Sequence, residues 1–370
     1  MTFIISYYSP SSMNGASNRL YALFNHMRNH GYSVRFVTYG EFPTSEDVIS
    51  FTYWKNLNFF LITKCLIIRI LNKLGAPIKD WQYYTNVLRI VYEHQPSNVL
   101  LSYPTIDNLF LANVISKNVN INVVFDYRDG ITSFPLENYN FLQRFMYKKI
   151  ELNLARRDNV KITAVNKFVV PNEIASSFTE ITNFRKINTQ KVKILLSKKS
   201  SIKFIHFGQI SNSYQRKATY FYSAIDKMCK NYKNINFVID FYGHLSTVEK
   251  KELLKLRNKN LTISFFDPVN VDDVHDNYDI ALLLGVPGHK GYVSSKFFSY
   301  LELNVPIFAA ADGNLVASYI EDYNIGIVGR FDPNFLSECL KLSENREFYT
   351  TNLRIFDEEN QCANFVKLIH

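Results

Sequence analysis

Short apolar runs alternate along the chain with longer segments in which apolar residues recur every three or four positions. The runs predict buried strands, and in the first half of the chain they are residues 3–6, 33–38, 98–102 and 122–125, with 162–165 as a candidate last strand. A helix is predicted over residues 18–30, where Gly31 ends the periodic pattern. Strands that alternate with helices are typical of a parallel sheet with helices on both faces.

The second half repeats this alternation, with strands predicted at residues 203–207, 236–242, 261–265, 280–284 and 306–310. A chain of 370 residues is also too long for one ordinary core. The fold class is therefore α/β, with two doubly wound, Rossmann-like domains at residues 1–180 and 201–370. Residues 179–201 are polar, basic and aperiodic, which places an interdomain linker at 181–200. The last helix is a candidate for packing back on the first domain.

The formal charge of +9 is distributed unevenly. Residues 1–180 hold 18 Lys and Arg against 13 Asp and Glu, residues 181–200 hold 6 against 0, and residues 201–370 hold 18 against 20. A basic first half and linker suit an anionic partner, such as a phospholipid leaflet or a diphosphate-bearing acceptor. Nucleic acid is disfavoured because the chain shows no zinc-finger spacing, helix-turn-helix pattern or aromatic RNA-binding signature.

Residues 57–74, from Leu57 to Leu74, are apolar nearly all round but contain three basic residues. A membrane-spanning helix needs about 20 largely uncharged residues, so this stretch does not predict one. Two interpretations stay open, a helix lying on a membrane interface and a buried helix of a large domain. The start of the chain lacks the features of a signal peptide, and the four cysteines lie far apart. We therefore predict a cytoplasmic protein that can contact the inner face of the cell membrane.

The opening of the chain carries a recognisable pattern. Residues 4–10 (IISYYSP), then Gly15 and Arg19, then residues 31–34 (GYSV) resemble the start of GT-B-type glycosyltransferases of the retaining glycosyltransferase-4-like group. A glycine after a strand lets the backbone approach a ligand, and the next helix presents free amides to anions. Gly15 is therefore a candidate donor-binding residue, although a glycine turn at this place is equally often a matter of topology.

The resemblance continues at residues 124–129 (VFDYRD), which are similar to a D-x-R-D segment found at a strand end in many bacterial members. Charged groups at the carboxyl end of a strand face the ligand crevice of such sheets. The resemblance implies that Asp126, Arg128 and Arg19 bind the acceptor and that Asp129 is catalytic. The alternative is that Arg128 simply pairs with a neighbouring carboxylate.

Residues 204–210 (FIHFGQI) resemble the strand and glycine turn that open the second domain of this family. The turn arginine of the family is Gln209 here, after Gly208. In the family that arginine and a later lysine neutralise the donor diphosphate. The resemblance therefore assigns more of this task to Arg216 and Lys217, while His206 is expected to be a core residue.

The most specific stretch comprises residues 279–284 (DIALLL), 294–302 (SSKFFSYLE) and 304–309 (NVPIFA). It is similar to the family pattern S-K-L-F-E-Y-L-A-x-G-K-P, with the same ten-residue distance from Lys296 to Pro306. A helix that begins near Ser294 or Ser295 directs its positive end, with Lys296, at the donor diphosphate.

Two further features of the second domain concern the donor. Ser299 stands where the family has the carboxylate that binds the nucleotide ribose, and Glu302, one helical turn later, is our candidate replacement. Asp312 and Gly313 follow the next strand, and their turn is either a second contact to phosphate or sugar or an ordinary loop.

The resemblance implies a GT-B architecture with two domains facing a central cleft. It also implies transfer of a sugar from a nucleoside-diphosphate sugar to a glycan or lipid-linked acceptor, without a metal or other cofactor, in the synthesis of surface polysaccharide such as capsule or lipopolysaccharide. A retaining reaction needs no dedicated base, whereas an inverting one needs Asp129 or, second, His289. Two alternatives stay open: a nucleotide-sugar epimerase or hydrolase of the same fold, and a non-catalytic nucleotide-sugar-binding protein, suggested by Gln209 and Ser299.

Overall fold

The computed structural model of this chain describes residues 1–10, 15–51, 78–133, 139–187, 191–192, 199–210, 219–344, 346–349 and 353–370. The chain divides into two units. The first is Met1–Phe184 together with Glu358–His370, and the second is Arg185–Asp357. The chain therefore passes from one unit to the other within the stretch predicted as the linker, and its last helix belongs to the first unit. The segment at residues 57–74 lies outside the described residues.

Seven parallel strands form the sheet of the first unit. They are β1 (Thr2–Ser6), β2 (Val34–Tyr39), β3 (Val48–Phe51), β4 (Asn98–Tyr103), β5 (Asn122–Tyr127), β6 (Val160–Ala164) and β7 (Thr179–Glu180). Their order is β3-β2-β1-β4-β5-β6-β7, so the direction of the chain across the sheet changes between β1 and β4. Every residue of β1 and β4 is buried, because helices cover both faces of a parallel sheet.

The polar stretch that led to the predicted linker contains a strand at its start. Thr179 and Glu180, the last two residues of the predicted first domain, pair in parallel with Thr163 and Ala164 as the edge strand β7. Both residues of β7 are exposed, so no apolar pattern marks the strand. Backbone pairing alone defines such an edge, which explains why the sequence did not show it.

The helices of the first unit are α1 (Gly15–Asn29), α2 (Trp81–His94), α3 (Ile106–Ile115), α4 (Phe141–Ala155) and α10 (Glu358–Ile369). The helix predicted at residues 18–30 is confirmed as α1, and Gly31 adopts the left-handed conformation, φ +77°, directly beyond it. Helix α10 packs against α1, and Cys362 and Phe365 join the core cluster that contains Leu23. The last segment of the chain thus completes the core of the first unit.

Six parallel strands form the sheet of the second unit. They are β9 (Ser201–Phe207), β10 (Asn236–Tyr242), β11 (Leu261–Phe266), β12 (Ile280–Leu284), β13 (Ile307–Ala310) and β14 (Gly326–Gly329). The five predicted strands overlap β9 to β13, whereas β14 was not predicted. Their order is β11-β10-β9-β12-β13-β14. The winding direction therefore changes between β9 and β12, and sheets of this kind bind ligands at the carboxyl ends of strands at such a point.

The helices of the second unit are α5 (Thr219–Asn231), α6 (Thr247–Leu254), α7 (Ser295–Glu302), α8 (Leu315–Asp322) and α9 (Phe335–Ser343), and β8 (Lys191–Val192) pairs with β15 (Phe348–Tyr349). Alternate residues of β9 face opposite sides of the sheet. Phe204 belongs to one core cluster and Ile205 to another. The second unit is therefore a sheet with a separate apolar layer on each face, as the alternation of elements predicted.

Among the residues that the structure describes, no helix combines the length and the apolar character needed to cross a membrane. Three of the four cysteines, Cys229, Cys339 and Cys362, fall within the described residues, and all three are buried thiols. Burial raises the pKa of Cys229 and of Cys339 to about 12, so both thiols stay protonated at neutral pH.

Candidate functional site

A pair of glycine turns forms the base of the candidate site, at the carboxyl edge of the second sheet. Gly208 follows β9 with φ +65°, and Gly243 follows β10 with φ +128°. A Cβ atom added to Gly243 would lie 2.8 Å from Cα of Gly208, so a side chain at Gly243 would collide with the neighbouring turn. Gly243 must therefore be glycine for the two turns to lie against each other, and the positive φ of Gly208 also favours glycine.

Lys296, in the first turn of α7, extends over this base. Its Nζ donates to the main-chain oxygen of Gln209 at 2.7 Å and lies 3.2 Å from Nε2 of His206. A Cβ atom added to Gly208 would come 3.4 Å from Cε of Lys296. The predicted lysine, glycine turn and Gln209 are thus brought together at the switch point of the sheet, with the ammonium group beside the N-terminus of a helix.

His206 has a role that sequence reasoning missed. The ring is fully buried, as predicted for a core residue. Its Nδ1 lies 2.9 Å from the main-chain oxygen of Leu282, and a donor at Nδ1 leaves Nε2 as an acceptor for Lys296. His206 therefore positions the ammonium group of Lys296, and the motif contained no signal for this because the contact joins residues 90 positions apart.

Helix α7 is fixed by a cap at its N-terminus and by two hydrogen bonds of a tyrosine in its second turn. The side chain of Ser294 is the N-cap and accepts from the main-chain nitrogen of Lys296 at 3.4 Å. The Tyr300 hydroxyl donates to the main-chain oxygen of Leu282 at 2.9 Å and accepts from the main-chain nitrogen of Phe207 at 3.1 Å. The predicted helix start at Ser294 and Ser295 is confirmed, and Tyr300, which was not predicted as a site residue, holds α7 to both central strands.

The predicted ribose-binding positions share one side of α7. Phe297, Phe298, Tyr300 and Leu301 are buried, whereas Ser295 is exposed and Ser299 and Glu302 are half-buried. Ser295, Ser299 and Glu302 are four and three residues apart, which places them along one face of the helix. Seven residues of α-helix rise about 10 Å, so Glu302 lies that far from the helix start, and its ribose role stays a prediction.

The loops after β12 and β13 meet at the same edge. Asp312 and Gly313 are exposed, and Gly313 has φ +77°. The buried side chain of Asn314 donates to the main-chain oxygens of Val286 at 2.9 Å and of His289 at 2.8 Å. Asn314, another residue that sequence reasoning missed, therefore fixes the loop that carries His289 against the turn at Asp312.

Other predicted site residues occupy different places. Arg216 and Lys217 lie outside the described residues, so their contribution stays a prediction. Gly15 is the first residue of α1, where a helix N-terminus follows β1 at the switch point of the first sheet. Gln209 is exposed and uses its main-chain oxygen, not its side chain, to hold Lys296.

Arg19 and Asp126 form a buried ion pair in the first unit. One guanidinium nitrogen of Arg19 lies 3.1 Å from Asp126 Oδ1 and donates to the main-chain oxygen of Ile181 at 2.8 Å. Asp126 also accepts from the hydroxyls of Ser102 and Thr163, both at 2.9 Å. The exposed fractions of Arg19 and Asp126 are 4% and 0%.

This burial changes our interpretation of both residues. Strand alternation turns Asp126 to the face of the sheet covered by α1, whereas Phe125 and Tyr127 pack into the cluster on the other face. The guanidinium of Arg19 also lies over the ring of Phe365 in α10, at 5.0 Å. We therefore withdraw both as acceptor-binding residues and interpret them as a buried ion pair that stabilises the first unit.

Arg128 and Asp129 lie just beyond β5, at the carboxyl edge of the first sheet, and both are half-buried. Desolvation raises the pKa of Asp129, and the neighbouring charge of Arg128 opposes this effect. Two nitrogens of Arg128, Nε and Nη1, are buried and make no hydrogen bond among the described residues. A carboxylate with a raised pKa at this edge is chemically suited to accept a proton, so Asp129 stays a candidate.

Neither a protein-family model nor a curated protein sequence matches the chain. Its fold, however, is similar to several solved structures. One is WaaG, a glycosyltransferase involved in lipopolysaccharide biosynthesis, with a TM-score of 0.58, 16% identity and coverage of 98% of this chain and 94% of that one. The chain has the GT-B fold. This GT-B chain is also similar to the UDP-GlcNAc 2-epimerase of Methanocaldococcus jannaschii (TM-score 0.55, 12% identity, 100% and 99% covered).

A third similar structure is Os79 from O. sativa in complex with UDP, with a TM-score of 0.51, 12% identity and coverage of 100% of this chain and 95% of that one. All three similarities have low sequence identity, so they establish the GT-B fold and leave the reaction to be argued from the site. The two doubly wound units predicted from the sequence are confirmed.

Proposed function

We propose that this GT-B chain is a glycosyltransferase that moves a sugar from a nucleoside-diphosphate sugar to a glycan or lipid-linked acceptor. The observation that supports this proposal is the position of Lys296, whose ammonium group lies over the Gly208 turn at the N-terminus of α7. A helix N-terminus carries about half a positive charge, and the lysine adds a full one. The pair suits the diphosphate of a sugar nucleotide.

The proposed catalysis rests on the departing diphosphate. Lys296 and the free amides of α7 stabilise the negative charge that develops as the bond to the sugar breaks, and Arg216 and Lys217 are proposed to add to this effect. Donors that are already in place cost no reorganisation during the reaction. We propose a retaining, metal-independent reaction in which a diphosphate oxygen takes the acceptor proton. An inverting reaction would instead use Asp129 as the base, and the anomeric configuration of the product distinguishes the two.

The epimerase alternative is motivated by the similarity to the enzyme from M. jannaschii. An epimerase moves protons on the sugar itself and therefore needs acid and base groups close to the diphosphate site. In this chain the histidine nearest to Lys296, His206, is fully buried and positions the lysine. A non-catalytic protein would bind the donor and convert nothing. Incubation of the donor without and with an acceptor separates all three functions, because only a transferase requires the acceptor.

The donor site is tested by Lys296→Met. A thermal-shift screen of nucleoside diphosphates first identifies the nucleotide, and calorimetry then measures its affinity. Hydrogen bonds to charged groups contribute about 1.5–3 kcal/mol, so we expect binding to weaken by roughly 10- to 150-fold. The matched control is Lys259→Ala, an exposed lysine that precedes β11 at the opposite edge of the sheet. Equal affinities in the Lys296 variant and the wild type would contradict the proposed function.

We also propose that the protein is cytoplasmic and contacts the inner face of a membrane, where a lipid-linked acceptor of a surface polysaccharide would be presented. The net charge of +9 supports this proposal, because anionic lipids attract basic proteins. Sedimentation with vesicles measures the contact. Binding to phosphatidylglycerol vesicles should exceed binding to phosphatidylcholine vesicles and should fall with salt, and equal binding to both would argue against it.

A further inference from the structure

Two histidines and a glutamate converge at the end of α1. His26 lies in the last turn of α1 and His30 follows the helix, while Glu359 lies in the first turn of α10. His26 Nδ1 is 3.2 Å from Glu359 Oε2, and His30 Nε2 is 3.7 Å from Glu359 Oε1. All three residues belong to the first unit, and none of them takes part in the proposed transfer reaction.

The spacing of these atoms suits a small divalent cation. One ligand atom from each residue lies within 4.8 Å of the others. Zinc binds imidazole nitrogen and carboxylate oxygen at about 2.0–2.2 Å, so ligand atoms of a tetrahedral site are roughly 3.4 Å apart. The separations of His26 and His30 from Glu359, each to a different carboxylate oxygen, are close to this value, and a small rotation of the side chains would complete the triangle.

The ring of His30 is oriented as a metal ligand requires. Its Nδ1 lies 2.8 Å from the main-chain oxygen of His26, which makes Nδ1 the donor and leaves the lone pair of Nε2 directed towards Glu359. A ligating histidine commonly donates its second ring nitrogen to a backbone carbonyl in this way, and the contact fixes the tautomer. The ring centroids of His26 and His30 are 4.3 Å apart, and one nitrogen of each ring lies within 4 Å of the Glu359 carboxylate.

The exposure of the three residues leaves room for water. The side chain of His26 is 10% exposed, whereas that of His30 is 52% exposed and that of Glu359 is 70% exposed. A cation would therefore reach the cluster from solvent and keep one or more water ligands. Two histidines and one carboxylate form a donor set that favours zinc or a similar transition metal over calcium or magnesium, which prefer oxygen ligands only.

We propose that His26, His30 and Glu359 form a structural site for a zinc-type divalent cation that fastens α10 to α1. The position of the site explains what it does. The chain leaves the second unit at Asp357 and returns to the first at Glu358, one residue before the ligand Glu359. A cation here holds the returning chain where α10 begins to pack. The site acts on the stability of the first unit and is independent of the donor site around Lys296.

The test is a titration of the full-length, chelator-treated chain with zinc chloride, followed by calorimetry and by thermal unfolding. Trp81, the first residue of α2, belongs to the first unit, so tryptophan fluorescence reports the unfolding of that unit. We expect one zinc ion per chain and, at ten times the dissociation constant, a rise of about 3–6 °C in the midpoint. The rise should disappear when excess chelator is added.

Variants locate the site. Glu359→Gln changes a largely exposed side chain and should leave the fold intact, and we expect at least the ~10-fold weaker binding that loss of even an outer-shell partner costs. The double variant His26→Asn and His30→Gln should abolish the zinc-dependent rise. The matched control is His275→Gln, an exposed histidine of the second unit, which should bind zinc as the wild type does. Zinc binding that is absent from the wild type, or unchanged in both ligand variants, would overturn the proposal and leave a metal-free His–Glu contact.

Discussion

The buried pair of Arg19 and Asp126 makes a prediction that separates a structural role from a functional one. Asp126 is fully buried and accepts hydrogen bonds from Arg19, Ser102 and Thr163. Removal of one partner leaves an uncompensated charge in the interior, which typically costs about 3–5 kcal/mol. Arg19→Met and Asp126→Ala should therefore each destabilise the first unit by about this amount.

The magnitude is accessible to urea unfolding followed by tryptophan fluorescence, because Trp81 lies in the first unit. With a slope of about 2 kcal/mol per molar urea, each variant should unfold at roughly 2 M lower urea. The matched control is Arg89→Met. Arg89 pairs with Glu93 at 3.9 Å and is 65% exposed, so its loss should change stability by less than about 1 kcal/mol.

The double variant Arg19→Met and Asp126→Ala supplies the decisive comparison. Removal of both charges leaves no unpaired ion, so the double variant should be more stable than the sum of the two losses implies, by about 0.5–3 kcal/mol. Strictly additive losses of unfolding free energy would refute the interpretation of the two residues as an interacting ion pair. Wild-type stability in both single variants, together with a loss of transfer activity, would restore them to the acceptor site.

Two more predictions concern the nucleotide and pH. Glu302→Gln should weaken binding of the nucleoside and of its diphosphate alike, by about tenfold, because the proposed contact is to the ribose. Lys296→Met should weaken binding of the nucleoside diphosphate but not of the nucleoside. The control is Glu321→Gln, which changes an exposed residue of α8. Unchanged nucleoside binding in the Glu302 variant would discard the proposed role of Glu302. Glu151 is buried and accepts from the Thr132 hydroxyl at 2.5 Å, and burial raises its pKa from 4.5 to about 7. The folded state then binds the proton more tightly than the unfolded state, so the stabilising contribution of Glu151 is fully present below about pH 4.5 and is lost as the pH rises through 7. Glu151→Gln should reduce the slope of unfolding free energy against pH in this range. An unchanged slope would show that other groups cause it. Burial also raises the pKa of Asp107, to about 6, and this contributes a slope of the same sign.

The strands that the sequence predicted best are those buried on both faces. Strands β1 and β4 are buried throughout and have three consecutive apolar residues at their centres, because helices cover them on both sides. The missed strands are of a different kind. Strand β14 is four residues long and begins and ends with glycine, and β7 is exposed at the edge of the sheet. Their positions depend on backbone pairing with neighbours, which leaves little trace in local composition.

The residues of the candidate site also fall into those that the sequence predicted and those that it did not. Lys296 and Ser294 were predicted because the helix start, its cap and its lysine are close together in sequence. The contact between Lys296 and His206 joins residues 90 positions apart, and that between Arg19 and Asp126 joins residues 107 positions apart. A polar residue inside an apolar strand indicates that some partner exists, but the fold decides whether that partner is a ligand or another side chain.

The return of the chain to the first unit sets the order in which this protein can mature on the ribosome. Residues 1–184 emerge first, yet the layer that seals α1 awaits Cys362 and Phe365, which are made after the whole of residues 185–357. The middle of the sequence is contiguous and can complete its own sheet earlier. Synthesis therefore leaves an apolar surface beside α1 open until the final helix is available to cover it.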